Sequence, residues 1–313
     1  MTLSELLQLF ETSQRRCHVV GDCQGAVVAA LDLEGRLFTV VNDRVVNRIN
    51  PEAFLGTCTR DTYLNPGGDG LWPAPEGSRL GYEYAIGDWR VPPGLTSARF
   101  WLLSTTPETA SIRAEIDLLN SEGRGVPTAF ERHVAISGEN GTLKVDVTEV
   151  IEYLGAEPVA RAACLLAPWS LCQFDSGPGC TVRFPLREAS QCWDLYASSA
   201  DRRSVKDGIC TARTDAEGER YQVGLGPEVS WLEFHDPRSG LRVRREAASL
   251  EPGLSYIDIA DRAPDQEPDG APVRLSVYSD PDGFMEIEAA GGCPSALAPG
   301  TRLELKTTTT YSL

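Results

Sequence analysis

The first apolar residues of the chain repeat with the period of a helix. Within MTLSELLQLFETSQRR they stand three to four positions apart, at Leu3, Leu6, Leu7 and Phe10. Residues with this spacing share one face of an α-helix, which can pack against the rest of the molecule. The pattern predicts an amphipathic helix within residues 1–17.

From residue 18 onward the apolar residues come in short runs that are typical of β-strands. The runs are rich in Val, Leu and Phe and are bounded by Gly, Pro, Asn and Asp. Examples are GAVVAALDLEG, RLFTVVND, SARFWLLSTTP, ASIRAEIDLLN and VARAACLLAPWSLCQF. Many short strands at regular spacing predict an all-β sandwich or barrel rather than a parallel α/β sheet.

Turn sequences join several of these strands into predicted hairpins. SGENG separates two alternating runs within RHVAISGENGTLKVDVTEV, and DPRSG and DPDG separate two later pairs. Helix signals are few here: NPEAF at 50–54 suits one turn, and ASQCWDLYASSADRRSV suits either a short helix or a loop. The Pro- and Asp-rich segment 261–272 is interpreted as a solvated loop.

The net charge of the chain excludes some classes of binding partner. Among 313 residues, Asp and Glu number 45 and Lys and Arg 29, so the formal net charge is −16. This charge repels nucleic acid and anionic membranes, and neutral ligands fit better. No run approaches the ~18 apolar residues of a membrane span, and the acidic N-terminal segment is unlike a signal peptide. We expect a soluble, cytoplasmic protein; the sequence does not indicate its oligomeric state.

Nine cysteines are spread along the chain. The spacings among Cys164, Cys172, Cys180 and Cys192 match no common zinc pattern. We interpret the cysteines as reduced thiols that pack like small apolar groups, with a disulfide or a metal site as the alternative. No motif demands a bound metal or an organic cofactor, so we expect neither.

Segment 67–77, GGDGLWPAPEG, places a tryptophan among glycines and prolines. This composition predicts turns, with no room for a helix or a long strand. A large aromatic side chain held by an irregular loop either closes the end of a core or faces a ligand, and Trp72 is a candidate for both. For Trp101, in the apolar run ARFWLLS, we expect a place in the core.

Several segments, in order along the chain, resemble the galactose mutarotase-like superfamily, which includes the aldose 1-epimerases. LDLEGRLFTV resembles its opening strand pair, with a Gly-Arg turn, and NPGGDGLWPAPEG resembles a loop of its bacterial branches. FERHVAISGENGTLKVDVTEVIEYLGAEPV and APWSLCQF resemble its central strands, and the closest match is the C-terminal DGFMEIEAAGGCPSALAPGTRLELKTTTTYSL. The resemblance covers residues 18–313 and implies one β-supersandwich domain: two large, twisted antiparallel sheets with a concave sugar-binding face.

Enzymes of this superfamily open a sugar ring with a base and an acid. A glutamate near the C-terminus removes the anomeric proton, a histidine protonates the ring oxygen, and the resemblance places Glu288 at the position of the base. Strand alternation puts Glu286 on the same face as Glu288, where each carboxylate raises the pKa of the other. The alternative is an exposed acidic strand face on a negatively charged protein.

The chain departs from the family pattern at two positions. The enzymes carry a His-x-Tyr-Phe-Asn motif where this chain has APWSLCQF, and Trp169 and Ser170 cannot act as an acid near pH 7. Sugar-phosphate relatives carry an arginine before the Gly-Gly pair, whereas Arg60 and Arg79 only flank this loop. The sequence therefore supports neither a standard mutarotase mechanism nor phosphate recognition by that arginine.

Three hypotheses of function follow. In the first, a diverged mutarotase-like protein binds a small neutral carbohydrate, and the groove is lined by Trp72, Glu76, Trp169, Glu286 and Glu288. Pro73 and Pro75 would hold Trp72 as a rigid plate for the C–H face of the sugar, and Trp89 and Trp101 would extend this platform.

The second hypothesis is an active aldose 1-epimerase with Glu288 as the base. Its acid would have to be His133 or His235, turned inward beside Glu288. The third hypothesis is a non-catalytic scaffold or oligomerisation protein, with an interface across the face where the sugar would otherwise lie.

Overall fold

The computed structural model describes residues 1–59, 61–82, 84–86, 89–92, 94–139 and 141–313, and only the backbone of 84–86, 89, 90 and 139. In this part of the chain the helices are α1 Leu3–Thr12 and α2 Pro51–Leu55, and single 3₁₀ turns span Arg161–Ala163, Ala189–Gln191 and Ala200–Arg202. The strands, in chain order, are β1 Cys17–Asp22, β2 Gly25–Ala30, β3 Leu37–Val41, β4 Arg44–Val45, β5 Asp69–Ala74, β6 Tyr84–Ile86, β7 Trp89–Val91, β8 Trp101–Thr105, β9 Thr109–Leu119, β10 Gly125–Glu139, β11 Thr142–Tyr153, β12 Val159–Ala160, β13 Ala167–Asp175, β14 Thr181–Pro185, β15 Cys192–Asp194, β16 Arg203–Lys206, β17 Ile209–Arg213, β18 Tyr221–Leu225, β19 Trp231–Asp236, β20 Leu241–Ala247, β21 Leu275–Asp280, β22 Phe284–Ala290, β23 Ala296–Leu297 and β24 Arg302–Ser312.

Two large antiparallel sheets, each of ten strands among the described residues, form the body of the protein. The first sheet has the strand order β1-β2-β3-β5-β13-β22-β21-β18-β15, with β4 paired to β3. The second has the order β16-β17-β14-β19-β20-β24-β11-β10-β9-β8. Two short ribbons, β6-β7 and β12-β23, lie outside these sheets. The predicted all-β sandwich is confirmed.

The hairpins predicted from turn sequences are present. SGENG joins β10 to β11, DPRSG joins β19 to β20, and DPDG joins β21 to β22. NPEAF begins α2, where the Asn50 side chain accepts a hydrogen bond of 3.1 Å from the backbone N–H of Glu52. The ASQCWDLYASSADRRSV segment forms two 3₁₀ turns and the short strands β15 and β16.

Burial along the strands distinguishes the two sheets. In β9, β11 and β24 of the second sheet, buried residues largely alternate with exposed or half-buried ones, as expected for a sheet with one face in the core. Strands β3, β5, β21 and β22 of the first sheet are buried on both faces. The first sheet is therefore covered on its outer face, the face turned away from the second sheet.

Helix α1 covers one end of this outer face. Thr2 and Glu5 form a capping box, in which each side chain accepts a hydrogen bond from the backbone N–H of the other. Leu6 and Phe10, one turn apart, are buried against β2, β3 and α2. The helix predicted within residues 1–17 thus spans Leu3–Thr12, since β1 begins at residue 17. Among the described residues, no helix has the length and apolar character to cross a membrane.

Charged side chains connect the two sheets inside the core. Asp69 on β5 accepts hydrogen bonds from Arg132 (Nη2 to Oδ1, 3.1 Å) and Arg245 (Nη1 to Oδ2, 2.7 Å), which lie on β10 and β20 of the second sheet. Arg132 also donates from Nη2 to Oε1 of Glu149 on β11 at 2.6 Å. All four side chains are almost completely buried. This network lies directly beneath strand β5, whose outer face carries Trp72.

Candidate functional site

Five residues singled out in the sequence meet in one cleft on the outer face of the first sheet. The cleft lies over the adjacent strands β5, β13 and β22. In the sheet register Trp72 lies opposite Trp169, and Leu171 lies opposite Glu288. The cleft wall contains all five predicted residues: Trp72, Glu76, Trp169, Glu286 and Glu288.

The segment around Trp72 is a strand, so the prediction of an irregular loop is wrong there. Residues Asp69–Ala74 form β5 in the middle of the first sheet, paired with β13 on one side and β3 on the other. Gly70 meets a packing requirement, because a Cβ at this position would lie 2.6 Å from Nη1 of Arg36. The glycine that suggested a turn therefore permits the close approach of a side chain.

Trp72 and Trp169 form the floor of the cleft. Their rings meet edge to face, with centroids 6.3 Å apart and an angle of 83° between the planes. Trp72 is 4% exposed and Trp169 is 2% exposed. The side chain of Trp72 is therefore buried and also lines the cleft, and the alternative that it faces a ligand stays a prediction.

Glu286 and Glu288 are buried, so the alternative of an exposed acidic strand face is wrong. The two side chains are 4% and 1% exposed. Glu286 Oε1 accepts a hydrogen bond of 2.5 Å from Nε2 of Gln173. Glu288 Oε2 accepts hydrogen bonds from Trp169 Nε1 at 3.2 Å, Gln222 Nε2 at 2.7 Å and the Ser276 hydroxyl.

The surroundings of these two carboxyls shift the pKa of each. Burial, and then the charge of Glu288, raise the pKa of Glu286 well above its usual range. Burial also raises the pKa of Glu288, but hydrogen bonds from Glu286, Ser276 and Gln222 act in the opposite direction. Both carboxyls therefore hold a proton more readily than an exposed glutamate does, and the opposing hydrogen bonds act on Glu288.

Arg36 brings a positive charge to the cleft from the start of β3. Its Nε and Nη2 atoms donate to Oε2 of Glu34 at 3.1 and 2.8 Å, and Nη2 also donates to the Tyr63 hydroxyl at 3.0 Å. The guanidinium carbon lies 5.9 Å from the centroid of the Trp72 ring. The remaining nitrogen, Nη1, is the one that approaches Gly70.

Glu76 enters the cleft wall just after the end of β5. Its carboxyl is half-buried, and the Tyr196 hydroxyl donates to Oε2 at 3.2 Å. Burial, and then the charge of Asp261, raise the pKa of Glu76 to about 8. Glu76 is therefore mainly protonated at neutral pH.

Four buried polar atoms of the lining residues have no hydrogen-bond partner within the described part of the chain. Two are donors and two are acceptors: Arg36 Nη1, Trp72 Nε1, Gln173 Oε1 and Gln222 Oε1. An unpaired buried polar group costs ~1–3 kcal/mol. Four such atoms at one cleft suit a ligand that supplies both hydrogen-bond donors and hydrogen-bond acceptors.

The enclosed part of the cleft is small, about 30 Å³. This space holds one or two water molecules. The polar side chains that close it come from outside the central strands: Glu76, Tyr196, Arg220 and Asp261. A sugar ring enters only if these covering side chains shift.

Histidine is not among the described residues that line the cleft, so the second hypothesis does not find the inward-turned His133 or His235 that it requires. His133 and His235 lie on β10 and β19 of the second sheet, and His18 lies on β1 at the edge of the first. The neighbours of Glu288 are instead amide, indole, hydroxyl and carboxyl groups.

Among the tryptophans whose side chains the structure describes, the predicted platform contains Trp72 and Trp169. Trp101 is 44% exposed on β8, the edge strand of the second sheet, so its predicted place in the core is wrong. The side chain of Trp89 and all of Arg60 lie outside the described residues. Arg79 forms an ion pair of 2.7 Å with Glu122 and does not line the cleft.

The nine cysteines are free thiols, and five of them are buried. Within the described ranges, no group of three or more His, Cys, Asp and Glu side chains is placed to hold a metal ion.

Solved structures with the same architecture establish the fold. A galactose mutarotase-like protein from Lactobacillus casei ATCC 334 superposes with a TM-score of 0.60 at 10% identity, over 95% of this chain and 100% of its own. A second, from Clostridium acetobutylicum, gives a TM-score of 0.55 at 10% identity over 95% of both chains. The chain has the galactose mutarotase-like fold. A galactose mutarotase related enzyme from Lactobacillus acidophilus agrees, with a TM-score of 0.52 at 14% identity over 95% and 98% of the two chains. No protein-family model and no curated protein matches this chain in sequence.

The sequence does not point to several of the residues that line the cleft. Gln173 was detectable, since it follows Trp169 and Leu171 at the two-residue period of one strand face. In the sequence, Arg36 stands out only as part of the Gly-Arg turn in LDLEGRLFTV. Gln222 and Tyr196 come from distant strands and loops, and no local motif marks either residue.

Proposed function

We propose that this mutarotase-like protein binds a small neutral carbohydrate in the cleft. The proposal is carried by the four unpartnered polar atoms, two donors and two acceptors, on side chains that line it. Each hydroxyl of a sugar both donates and accepts hydrogen bonds, so one sugar ring can pair with both kinds. Trp72 and Trp169 offer apolar surface for its C–H face.

The charges of the cleft favour a neutral ligand over a phosphorylated or acidic one. Its described lining contains two arginines against four carboxyl groups: Arg36 and Arg220; Glu76, Asp261, Glu286 and Glu288. Arg36 is already paired with Glu34 at 2.8 Å. An anionic sugar would therefore find no free arginine pair to bind it in this cleft.

A second candidate function is the interconversion of sugar anomers, with Glu288 as the base. The observation that favours it is the environment of Glu288 on β22, whose Oε2 accepts hydrogen bonds from Trp169, Gln222 and Ser276. A carboxylate buried in this way is suited to remove the proton of an anomeric hydroxyl. The alternative of a scaffold protein stays a prediction.

Isothermal titration with D-glucose, D-galactose, D-mannose, D-xylose and N-acetyl-D-glucosamine tests the binding proposal. We expect the wild type to bind at least one of these sugars, and Trp72→Phe to bind it at least tenfold more weakly. The substitution keeps an aromatic ring but removes the Nε1 donor, and a lost hydrogen bond at a buried site costs ~1–3 kcal/mol.

Trp231→Phe is the matched control. Trp231 is half-buried on β19 of the second sheet, outside the cleft, and its substitution should leave the affinity unchanged. The proposal fails if the wild type binds none of the five sugars, or if Trp72→Phe binds as tightly as the wild type.

A further inference from the structure

Ring opening needs a proton donor in addition to a base, and the cleft lacks a histidine among its described lining residues. Glu286 is an unsuitable donor, because it lies two residues from Glu288 on the same face of β22 and would reach the same part of a sugar. The Tyr278 hydroxyl donates to Oδ2 of Asp280 at 2.5 Å and is also engaged. Glu76 is a further carboxyl group in the cleft wall, where it accepts a hydrogen bond of 3.2 Å from the Tyr196 hydroxyl, and its pKa, raised to about 8, suits a proton donor.

We propose that Glu76 is the general acid of an anomer-interconverting reaction in this cleft, with Glu288 as its base. The inference rests on the proposed function, since it requires a sugar to bind between these side chains. Glu76 and Glu288 belong to different elements, the segment after β5 and the strand β22, which are separated in the sheet by β13. This separation allows the acid and the base to reach different oxygens of one ring.

The surroundings of Glu76 maintain its role as an acid. The groups that act on it are Asp261, Glu286 and the Tyr196 hydroxyl, together with the Arg220 guanidinium. The two carboxyls oppose ionisation of Glu76, whereas Tyr196 and Arg220 favour it. Glu288 belongs to the same electrostatic system, because the charge of Glu76 acts on it in turn.

The proposed step balances without any further reactant. Glu288 takes the proton of the anomeric hydroxyl, and the C1–O1 bond becomes a carbonyl. The C1–O5 bond breaks, its electron pair moves to the ring oxygen O5, and Glu76 donates a proton to that oxygen. Rotation about C1–C2 exposes the other carbonyl face. The reverse step closes the ring, returns the Glu288 proton to O1 and restores the proton of Glu76.

Polarimetry tests the proposal with freshly dissolved α-anomers of the five sugars, after subtraction of the spontaneous rate. For a sugar that the wild type binds, we expect an accelerated rate that falls as the pH rises through about 8, where Glu76 loses its proton. Glu76→Gln and Glu288→Gln should each lower the rate ~100-fold or more. Calorimetry on the same two variants should show a smaller loss in affinity than in rate.

The pH profile separates an acid from a merely structural residue. In Glu76→Gln the fall near pH 8 should disappear, and in Tyr196→Phe it should move to higher pH, since the Tyr196 hydrogen bond lowers the pKa of Glu76. If Glu76→Gln does not fold, Glu76→Asp keeps the titrating group at a shorter reach. It should retain the fall at high pH with a rate lowered at least tenfold.

The outcomes distinguish failure of this inference from failure of the proposed function. Sugar binding without acceleration, or a Glu76→Gln variant that keeps the wild-type rate or pH profile, overturns the role of Glu76 and leaves the binding proposal standing. A wild type that binds none of the sugars overturns both.

Discussion

Glu76 shows how the surroundings of a single residue in this fold change its chemistry. An exposed glutamate has a pKa near 4.5, whereas burial and the charge of Asp261 raise that of Glu76 to about 8. Between these values the folded chain keeps the Glu76 proton and the unfolded chain releases it. Since the folded state binds more protons in this window, its stability falls as the pH rises.

The amide of Glu76→Gln cannot ionise, so the variant should escape this loss. We expect its free energy of unfolding, relative to wild type, to rise with pH between about 5 and 8, on the order of 1 kcal/mol per unit at most. Urea denaturation at pH 5, 6.5 and 8 measures the difference. Glu11→Gln, at an exposed position on α1, is the control and should show no such trend. A difference that does not change with pH would mean that Glu76 titrates normally.

At the scale of the element, β5 determines the shape of the cleft floor. Gly70 gives Arg36 room to lie across the strand, because a Cβ there would stand 2.6 Å from Nη1. We expect Gly70→Ala to displace the guanidinium and to weaken sugar binding at least tenfold, while the protein still folds. Calorimetry with the sugar identified for the wild type measures this effect.

Gly125→Ala provides the comparison for Gly70→Ala. Gly125 begins β10, and a Cβ added there meets no atom within 4 Å among the described residues. Its substitution should leave sugar affinity unchanged. Equal affinities in both alanine variants would show that the position of Arg36 does not matter for binding.

Elements that depend on residues within their own segment are predictable from the sequence, whereas elements defined by long-range contacts are not. The hairpins at SGENG, DPRSG and DPDG depend on their own turn residues. Strand β5 was hidden because a strand buried on both faces does not alternate, and because Gly70 has a packing role that only Arg36 explains. Trp101 was placed in the core because an apolar run does not distinguish a central strand from the edge strand β8.

The residues of the candidate site also fall into two groups, those that the sequence predicts and those that depend on long-range contacts. Glu286 and Glu288 were predicted to share a face from strand alternation, and the family resemblance suggested Glu288 as a base. Trp72 was selected for its unusual segment. The partners that give these residues their chemistry, such as Gln222 and Tyr196, lie far away in the chain, so their proximity depends on the order of strands in the sheet.

On the scale of the whole molecule, the two sheets are connected by charge as well as by apolar packing. Asp69 belongs to the first sheet and its partners Arg132 and Arg245 to the second. Burial alone would raise the pKa of Asp69, but the two guanidiniums lower it to about 2. Because β5 carries Asp69 on one face and Trp72 on the other, the same contact that joins the sheets also holds the floor of the cleft.

Asp69→Asn should therefore destabilise the whole fold. Removing one partner of a buried ion pair leaves an uncompensated charge, which costs ~3–5 kcal/mol, so we expect a loss of this size at pH 7. The pKa of Asp69 lies below its unfolded value of 3.8, so its contribution is present above about pH 4 and is lost as the pH falls through about 2. The difference in the free energy of unfolding between wild type and Asp69→Asn should narrow accordingly between pH 4 and pH 2.

Asp201→Asn is the control. Its carboxyl is 80% exposed, so the substitution should change the free energy of unfolding by less than ~0.5 kcal/mol. Denaturation curves that show equal losses for Asp69→Asn and Asp201→Asn would mean that the charge network does not stabilise the contact between the sheets.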